Sequence, residues 1–227
     1  MTENDELHPV REALTALGEA LSADQGRKLQ QYHDLLVSSN PRYSLISPAD
    51  VRRIRDRHFV ESVQLLRWVP PQSAAILDIG SGGGLPGLVL KIMRPDATVV
   101  LLERRRRKQV FLRFAVHRLG LAGIHVFGST VDLADESVGQ PALRFDCVVA
   151  RAVGPLAELL PLAAPLLRPD GVLIAPKGSR ADEDLAAAAG ALQSSGLILA
   201  ERRGESLTSP EGGLIHRATL IFRRRTQ

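Results

Sequence analysis

The chain has 227 residues, 44% of them hydrophobic, which suffices for one full α/β domain plus a small addition, and its formal net charge is +4. It contains no run of eighteen apolar residues, which excludes a membrane-spanning helix, and the acidic, polar stretch over 1–9 does not read as a signal peptide. The single cysteine, Cys147, excludes an intramolecular disulfide framework and a cysteine-based zinc site, so the expectation is a soluble, cytoplasmic protein with no metal and no membrane partner.

In chain order, Leu7, Val10, Leu14, Leu17 and Leu21 fall on one face at helical spacing and predict a first helix. Ser22 or Asp24 can cap a second helix, which carries Leu29, Tyr32, Leu35 and Leu36 on its apolar side and which Asn40-Pro41 is expected to stop. A third helix is expected over about 50–68, closed by Pro70-Pro71, so that 1–72 forms a helical N-terminal cap. From residue 73 onward short β-branched runs alternate with helical stretches. Strands are expected at 74–79, 98–102, 124–127, 145–150, 171–176, 197–201 and 214–222, with helices from Pro86, over about 107–119 and over the Ala-rich 182–195. Repeated β–α–β predicts a mostly parallel sheet covered on both faces. Two last strands with no helix between them predict a closing hairpin and a final antiparallel strand. The fold class is therefore α/β, a Rossmann-like sheet of the methyltransferase kind over 73–227 behind a small helical segment.

The strongest local signal is Asp78-Ile79-Gly80-Ser81-Gly82-Gly83-Gly84-Leu85-Pro86-Gly87, at the end of the first strand and the start of a helix. Glycine lets backbone turn tightly and approach a ligand with no Cβ in the way. Pro86 suits a first helical turn, where no N–H is needed. Glu103 ends the second strand, where a carboxylate can accept hydrogen bonds from both ribose hydroxyls of a nucleoside cofactor. A nicotinamide dinucleotide favours G-x-G-x-x-G spacing, with its diphosphate on the helix N-terminus. Here the spacing is G-x-G-x-G, and Asp78 would repel a diphosphate while suiting a cationic sulfonium or the amino group of a methionine moiety. The residues favour S-adenosylmethionine over NAD, with Asp78, Gly80, Gly82, Gly84 and Glu103 around it.

Basic residues cluster at Arg52, Arg53, Arg55 and Arg57, at 104–108, and at Arg223-Arg224-Arg225. A compositional preference explains arginine over lysine, but not the clustering, which is the electrostatic footprint of a nucleic-acid binder. Cations at a helix start oppose the helix dipole by roughly 0.3–1 kcal/mol each. Arg104, Arg105, Arg107 and Lys108 therefore read as a phosphate-binding rim rather than a solvated face, and Lys177 and Arg180 follow the fifth strand at the same sheet edge. The arginines over 223–225 read equally well as a solubilising tail. Most aromatic residues fall at apolar positions, so no base-stacking platform is evident, and recognition is expected to rest on phosphates and RNA shape.

Exocyclic-amine methyltransferases carry an Asn/Asp-Pro-Pro-aromatic motif after the fourth strand; this chain has Val149-Ala150-Arg151-Ala152-Val153-Gly154-Pro155 there. Cys147 sits early in the fourth strand and reads as a small core residue rather than the nucleophile of pyrimidine carbon-5 methylation. Both absences fit a target that needs no activation, such as guanine N7, which has an in-plane lone pair and no proton to remove. Alignment of reactants can then supply roughly 7–11 kcal/mol of the acceleration, and no catalytic side chain is assigned. A methyltransferase of the same fold acting on another RNA, a small molecule or a protein, and a non-catalytic RNA-binding protein, stand as alternatives from the residues alone.

Taken together, these residues resemble the ribosomal RNA small subunit methyltransferase G family, also called glucose-inhibited division protein B. The similar elements are Leu21-Ser22-Ala23-Asp24-Gln25 with Leu29, Tyr32 and Leu35; Arg57-His58-Phe59-Val60-Glu61-Ser62; the whole glycine loop with its Leu85-Pro86-Gly87 ending; Leu101-Leu102-Glu103 with Lys108; Ala150-Arg151-Ala152; and Lys177-Gly178. The resemblance implies methyl transfer from S-adenosylmethionine to N7 of a guanine in the decoding-region loop of 16S rRNA. The expected partner is 16S rRNA within the 30S subunit, and the expected state is a monomer. It further implies cofactor contacts at Gly80 and Leu85, at Val131 and Asp132 near the adenine, and at Arg151 facing the methionine end or the substrate. His58 reads by default as a structural histidine bonded to Glu61 or the backbone; the resemblance places it with the substrate side.

Overall fold

The computed structural model describes residues 6–71, 74–129, 144–208 and 214–225. Helix α1 (His8–Thr15) and helix α2 (Ala23–Tyr43) open the chain. Ser22 is the cap of α2: its hydroxyl accepts from the Gln25 N–H while the Gln25 side chain accepts from the Ser22 N–H, a reciprocal box that satisfies two otherwise unpaired donors. The helix runs past Asn40-Pro41 to Tyr43. Pro41 costs little so near the end. The Asn40 carboxamide accepts from the Leu45 and Ile46 N–H groups and donates to the Ile46 carbonyl, so it ties down the chain that leaves the helix.

The single helix expected over about 50–68 is broken into four pieces: a 3-10 turn (Pro48–Arg53), a π-helical turn (Ile54–Phe59), α3 (Val60–Gln64) and a second 3-10 turn (Leu65–Arg67). Buried Ile54, Phe59, Val63, Leu65 and Leu66 do not fit a regular 3.6-residue stripe, and changing pitch keeps them all on the core side.

Strands β1 (Ala75–Ile79), β2 (Thr98–Leu102), β3 (Ile124–Phe127), β4 (Phe145–Ala150), β5 (Leu167–Lys177), β6 (Leu197–Thr208) and β7 (Leu214–Arg224) form one sheet in the order β3-β2-β1-β4-β5-β7-β6. The first five are parallel, and β7 is antiparallel to both β5 and β6. The closing hairpin is therefore present, and β7 inserts between β5 and β6. Between the strands lie α4 (Gly87–Met93), α5 (Arg106–Arg118), α6 (Leu156–Ala163), α7 (Ala181–Ala187) and α8 (Ala189–Ser195). Helix α6 has no counterpart in the sequence-based expectations, and the Ala-rich stretch is two short helices rather than one.

Strand alternation sorts the core into two faces. Ile76, Val99, Leu101, Cys147, Val149, Ile174 and Ile221 share one cluster with α4, α5 and the N-terminal helices. Leu77, Ile79, Val100, Leu102, Val148, Leu173 and Phe222 share the other with α6 and the Ala-rich helices. The N-terminal segment thus completes one face of the sheet. Polar clamps reinforce it: Arg94 pairs with Glu19, and the Gln25 amide donates to the Met93 carbonyl at 3.3 Å. Cys147 is fully buried in β4, and burial pushes its thiol well above the usual range, as a core position requires.

Candidate cofactor loop and substrate cavity

Strand order reverses between β1 and β4, so a crevice opens above their carboxyl ends. Register decides what meets there. Ile79 pairs with Ala150 and with Leu102, so Gly80, Arg151 and Glu103 are neighbours although far apart in the chain.

The glycine loop turns through left-handed conformations at Gly80 (φ 72°), Gly82 (φ 58°) and Gly84 (φ 96°). Space is as limiting as torsion. A Cβ at Gly84 would lie 2.4 Å from Leu88 Cδ1 and 2.8 Å from the Tyr32 hydroxyl. One at Gly87 would lie 2.6 Å from Asp78 Oδ2, which explains the glycine that ends the Leu85-Pro86-Gly87 element. The Tyr32 hydroxyl donates to the Gly83 carbonyl at 2.7 Å, so α2 braces the loop from the side.

Asp78 is fully buried below the loop. Its Oδ2 accepts from the Gly87 N–H at 3.0 Å, while its Oδ1 is buried and has no hydrogen-bond partner among the described residues. Burial is the main reason its carboxyl is pushed up to about 7. A buried carboxylate oxygen with an open lone pair suits a cation arriving from the crevice. Glu103 accepts from the Gly82 N–H at 2.9 Å and from the Arg105 N–H at 2.8 Å. Each carboxylate oxygen has a second lone pair, so these bonds leave it able to accept from ribose hydroxyls. This donor set, a glycine cradle flanked by two buried acids, fits S-adenosylmethionine.

Beyond Arg151 the crevice widens into a cavity of about 920 Å³ between the π-helical turn, α3, the segments after β4 and β5, and β7. Ala152, with φ 56°, turns the chain sharply after Arg151. Glu61 is the hub of the cavity floor. It accepts from Arg57 Nε at 3.1 Å, from Arg151 Nη1 at 3.2 Å, and from Arg217. Arg57 also pairs with Asp50. Arg151 Nη1 lies 3.1 Å from His58 Nδ1. A guanidinium can only donate, so Nδ1 accepts and the ring proton of the neutral imidazole sits on Nε2. Burial, then the Arg151 and Arg57 charges, hold His58 down at about 4.

Of the other residues singled out by sequence, Lys177 donates to the Gly154 carbonyl at 2.9 Å and pairs with Asp184 at 2.7 Å. Arg107 donates to the Arg42 carbonyl at 2.6 Å, at the carboxyl end of α2, where a cation complements the helix dipole. Arg104 and Arg105 are exposed at the start of α5, with Lys108 half-buried beside them. Arg180 is exposed and lines the cavity. Leu85 is buried in the loop. Val131 and Asp132 lie outside the described residues. Sequence reasoning did not single out Arg217, Asp50 or Trp68. Trp68 edges the cavity, with its indole N–H donating to Glu201 at 2.8 Å. Nothing in the pattern of β7 distinguishes Arg217 from the arginines that follow it.

Residues 25–204 match the model of the family described as rRNA small subunit methyltransferase G. The chain belongs to that family. A curated relative from Halorhodospira halophila, named ribosomal RNA small subunit methyltransferase G, is 39% identical over 166 residues, 73% of this chain and 76% of its own length. The relative of the same name from Sorangium cellulosum is 40% identical over 181 residues, 78% and 74% of the two chains. Among solved structures, TYW2 of M. jannaschii in complex with AdoMet superposes with a TM-score of 0.55 at 15% identity, over 74% of this chain and 77% of that one. That likeness shows the fold. Among the described residues no helix is long and apolar enough to cross a membrane.

Proposed function

We propose that this chain transfers a methyl group from S-adenosylmethionine to N7 of a guanine in 16S rRNA. Family membership sets the substrate class as ribosomal RNA, and the relatives carry the small-subunit name. The observation that carries the reading is Asp78 Oδ1, a carboxylate oxygen buried beneath the glycine cradle and, among the described residues, without a partner, while Arg151, paired in register beside that loop, lines the arginine-rich cavity.

When bound, S-adenosylmethionine supplies a methyl group on a cationic sulfonium. Asp78 answers the positive charge of the methionine moiety, Glu103 accepts from the ribose, and Gly80, Gly82, Gly84 and Leu85 shape the floor. Val131 and Asp132 are assigned to the adenine side by the family resemblance. Arg151 marks the border between the cofactor side and the cavity that admits the base. No general base is required for N7, and the neutral His58, bonded to Arg151, serves to position that guanidinium. Arg104, Arg105, Arg107 and Lys108 on one side and Lys177 and Arg180 on the other would meet RNA phosphates. The substrate is the assembled 30S subunit, the enzyme acts as a monomer, and no metal takes part.

The test is methyl transfer from labelled S-adenosylmethionine to 30S subunits that lack the modification, followed by nucleoside analysis. Label in 7-methylguanosine is expected. Label in another nucleoside, or transfer only to protein or small molecules, rejects the reading.

A further inference from the structure

The cavity floor holds an arrangement that the cofactor loop does not need. Guanidinium groups from three separate elements, Arg57 of the π-helical turn, Arg151 at the end of β4 and Arg217 of β7, converge on one carboxylate, Glu61. Each of these side chains keeps about a fifth of its surface open, 22%, 20% and 19% respectively. A guanidinium carries five N–H donors in a planar fork, and three such forks exceed what the two oxygens of Glu61 can accept. Asp50 takes up part of the Arg57 fork. Arg57, Arg151 and Arg217, with Arg53 nearby, gather around Glu61 and Asp50, Asp78 acts on Arg151 from the loop side, and His58, held neutral, adds no charge. Burial and the nearby Arg57 and Arg53 charges pull Arg217 below its usual range, as expected of a crowded cation.

We propose that Arg57, Arg151 and Arg217 form the seat of the backbone phosphate next to the target nucleotide, and that Glu61 is its internal stand-in. Forked donors match phosphate oxygens in pairs, which a lysine cannot do. Glu61 holds the three forks aimed at one point until a phosphate takes its place, so little ordering remains when RNA binds. The inference rests on the RNA-methyltransferase reading and adds which residues grip the substrate. The carboxylate of the cofactor's methionine moiety offers the same anionic chemistry, and the experiment separates the two.

Arg217→Gln, Arg217→Lys and Glu61→Gln are compared with the wild type, with steady-state kinetics on 30S subunits and on S-adenosylmethionine, direct 30S binding across a salt series, and thermal melting. Arg217→Gln is expected to raise the KM for 30S about tenfold, leave the KM for S-adenosylmethionine unchanged, and reduce the slope of log K against log salt by about one. Arg217→Lys should recover part of the loss, and keeps the test valid if the glutamine variant melts early. Glu61→Gln should bind 30S more tightly than the wild type. An unchanged 30S KM and salt slope in Arg217→Gln overturns the seat. A raised KM for S-adenosylmethionine instead assigns it to the cofactor carboxylate. Equal weakening by Arg217→Gln and Glu61→Gln makes Glu61 a brace and removes the stand-in. A wild type that binds 30S but makes no 7-methylguanosine is the separate failure of the functional reading, and the salt series still decides the seat.

Discussion

The glycine loop and the cavity floor sit side by side at the carboxyl edge of one sheet, yet they are built in opposite ways. Almost everything in the loop lies within the ten residues from Asp78 to Gly87, because its task is a backbone shape. The floor draws Asp50, Arg57, Glu61, Arg151 and Arg217 from the N-terminal segment, the middle of the chain and its last strand. A backbone shape is a local property, written in consecutive torsions. A charge cluster is a tertiary property, written in strand register and helix docking. The two should therefore fail differently when perturbed.

The largest effect is expected at the loop. Gly84→Ala places a Cβ at φ 96° and 2.4 Å from Leu88 Cδ1. Backbone strain and overlap together should cost on the order of 4 kcal/mol, with cofactor affinity lost about a hundredfold or more. Denaturant unfolding and calorimetric titration measure both, and a stable, tightly binding variant would sink the claim that this shape is obligatory.

Asp78 comes next and separates function from stability. Its carboxyl keeps its proton up to about 7 when folded, against 3.8 as the ordinary value. The folded state therefore holds the extra proton between those values, and the contribution is full below about 4 and lost as pH rises through about 7. Asp78→Asn should leave ligand-free stability unchanged near pH 4 and raise it by on the order of 4 kcal/mol above pH 7, while weakening S-adenosylmethionine binding. His58 has the opposite sign: held at about 4 against 6.5, its contribution is present above 6.5 and lost as pH falls through 4. In the wild type the two slopes oppose each other over that window. The variant should thus show acid destabilisation that the wild type conceals, and parallel melting profiles from pH 4 to 8 would refute the assignment.

Tyr32→Phe tests the brace between the N-terminal helices and the loop. It removes the donor to the Gly83 carbonyl and should cost about 1–2 kcal/mol, with a weaker cofactor. A loss of stability with unchanged affinity would mean that the loop keeps its shape without α2. The smallest effects divide the basic rim. Lys177→Ala should weaken 30S binding and also lower the melting temperature, since the Lys177–Asp184 pair ties β5 to α7. Arg104→Ala should reduce the salt slope by about one and leave melting alone. Identical behaviour of the two would erase the distinction between rim and scaffold.

Much of the sheet was legible because alternation and β-branching are short-range signals: β2, β3 and β4 fall where those patterns place them. The cap of α2 was legible as either Ser22 or Asp24, and the reciprocal bonds with Gln25 decide for Ser22. The broken 50–68 segment was not, since a change of helical pitch answers to the surface it packs on. Helix α6, whose buried face is Leu156, Leu159, Leu160 and Ala163, was missed because Pro161 lies inside it and an interior proline reads as a helix breaker. In the site, Asp78, the glycines and Glu103 stand out by type and spacing. The fact that Arg151 shares Glu61 with Arg57 and Arg217 does not.

By itself the sequence determined the strand–turn–helix of the glycine loop, the parallel sheet with its closing hairpin, and the family. Tertiary structure alone decided that Asp78 Oδ1 stays buried with no partner among the described residues, that the N-terminal helices brace the loop through Tyr32, and that three distant arginines meet over one glutamate. The division follows from range. Torsions and periodicity act between neighbours in the chain, whereas burial, charge balance and shifted titration depend on which distant residues the packed sheet brings within a few ångströms.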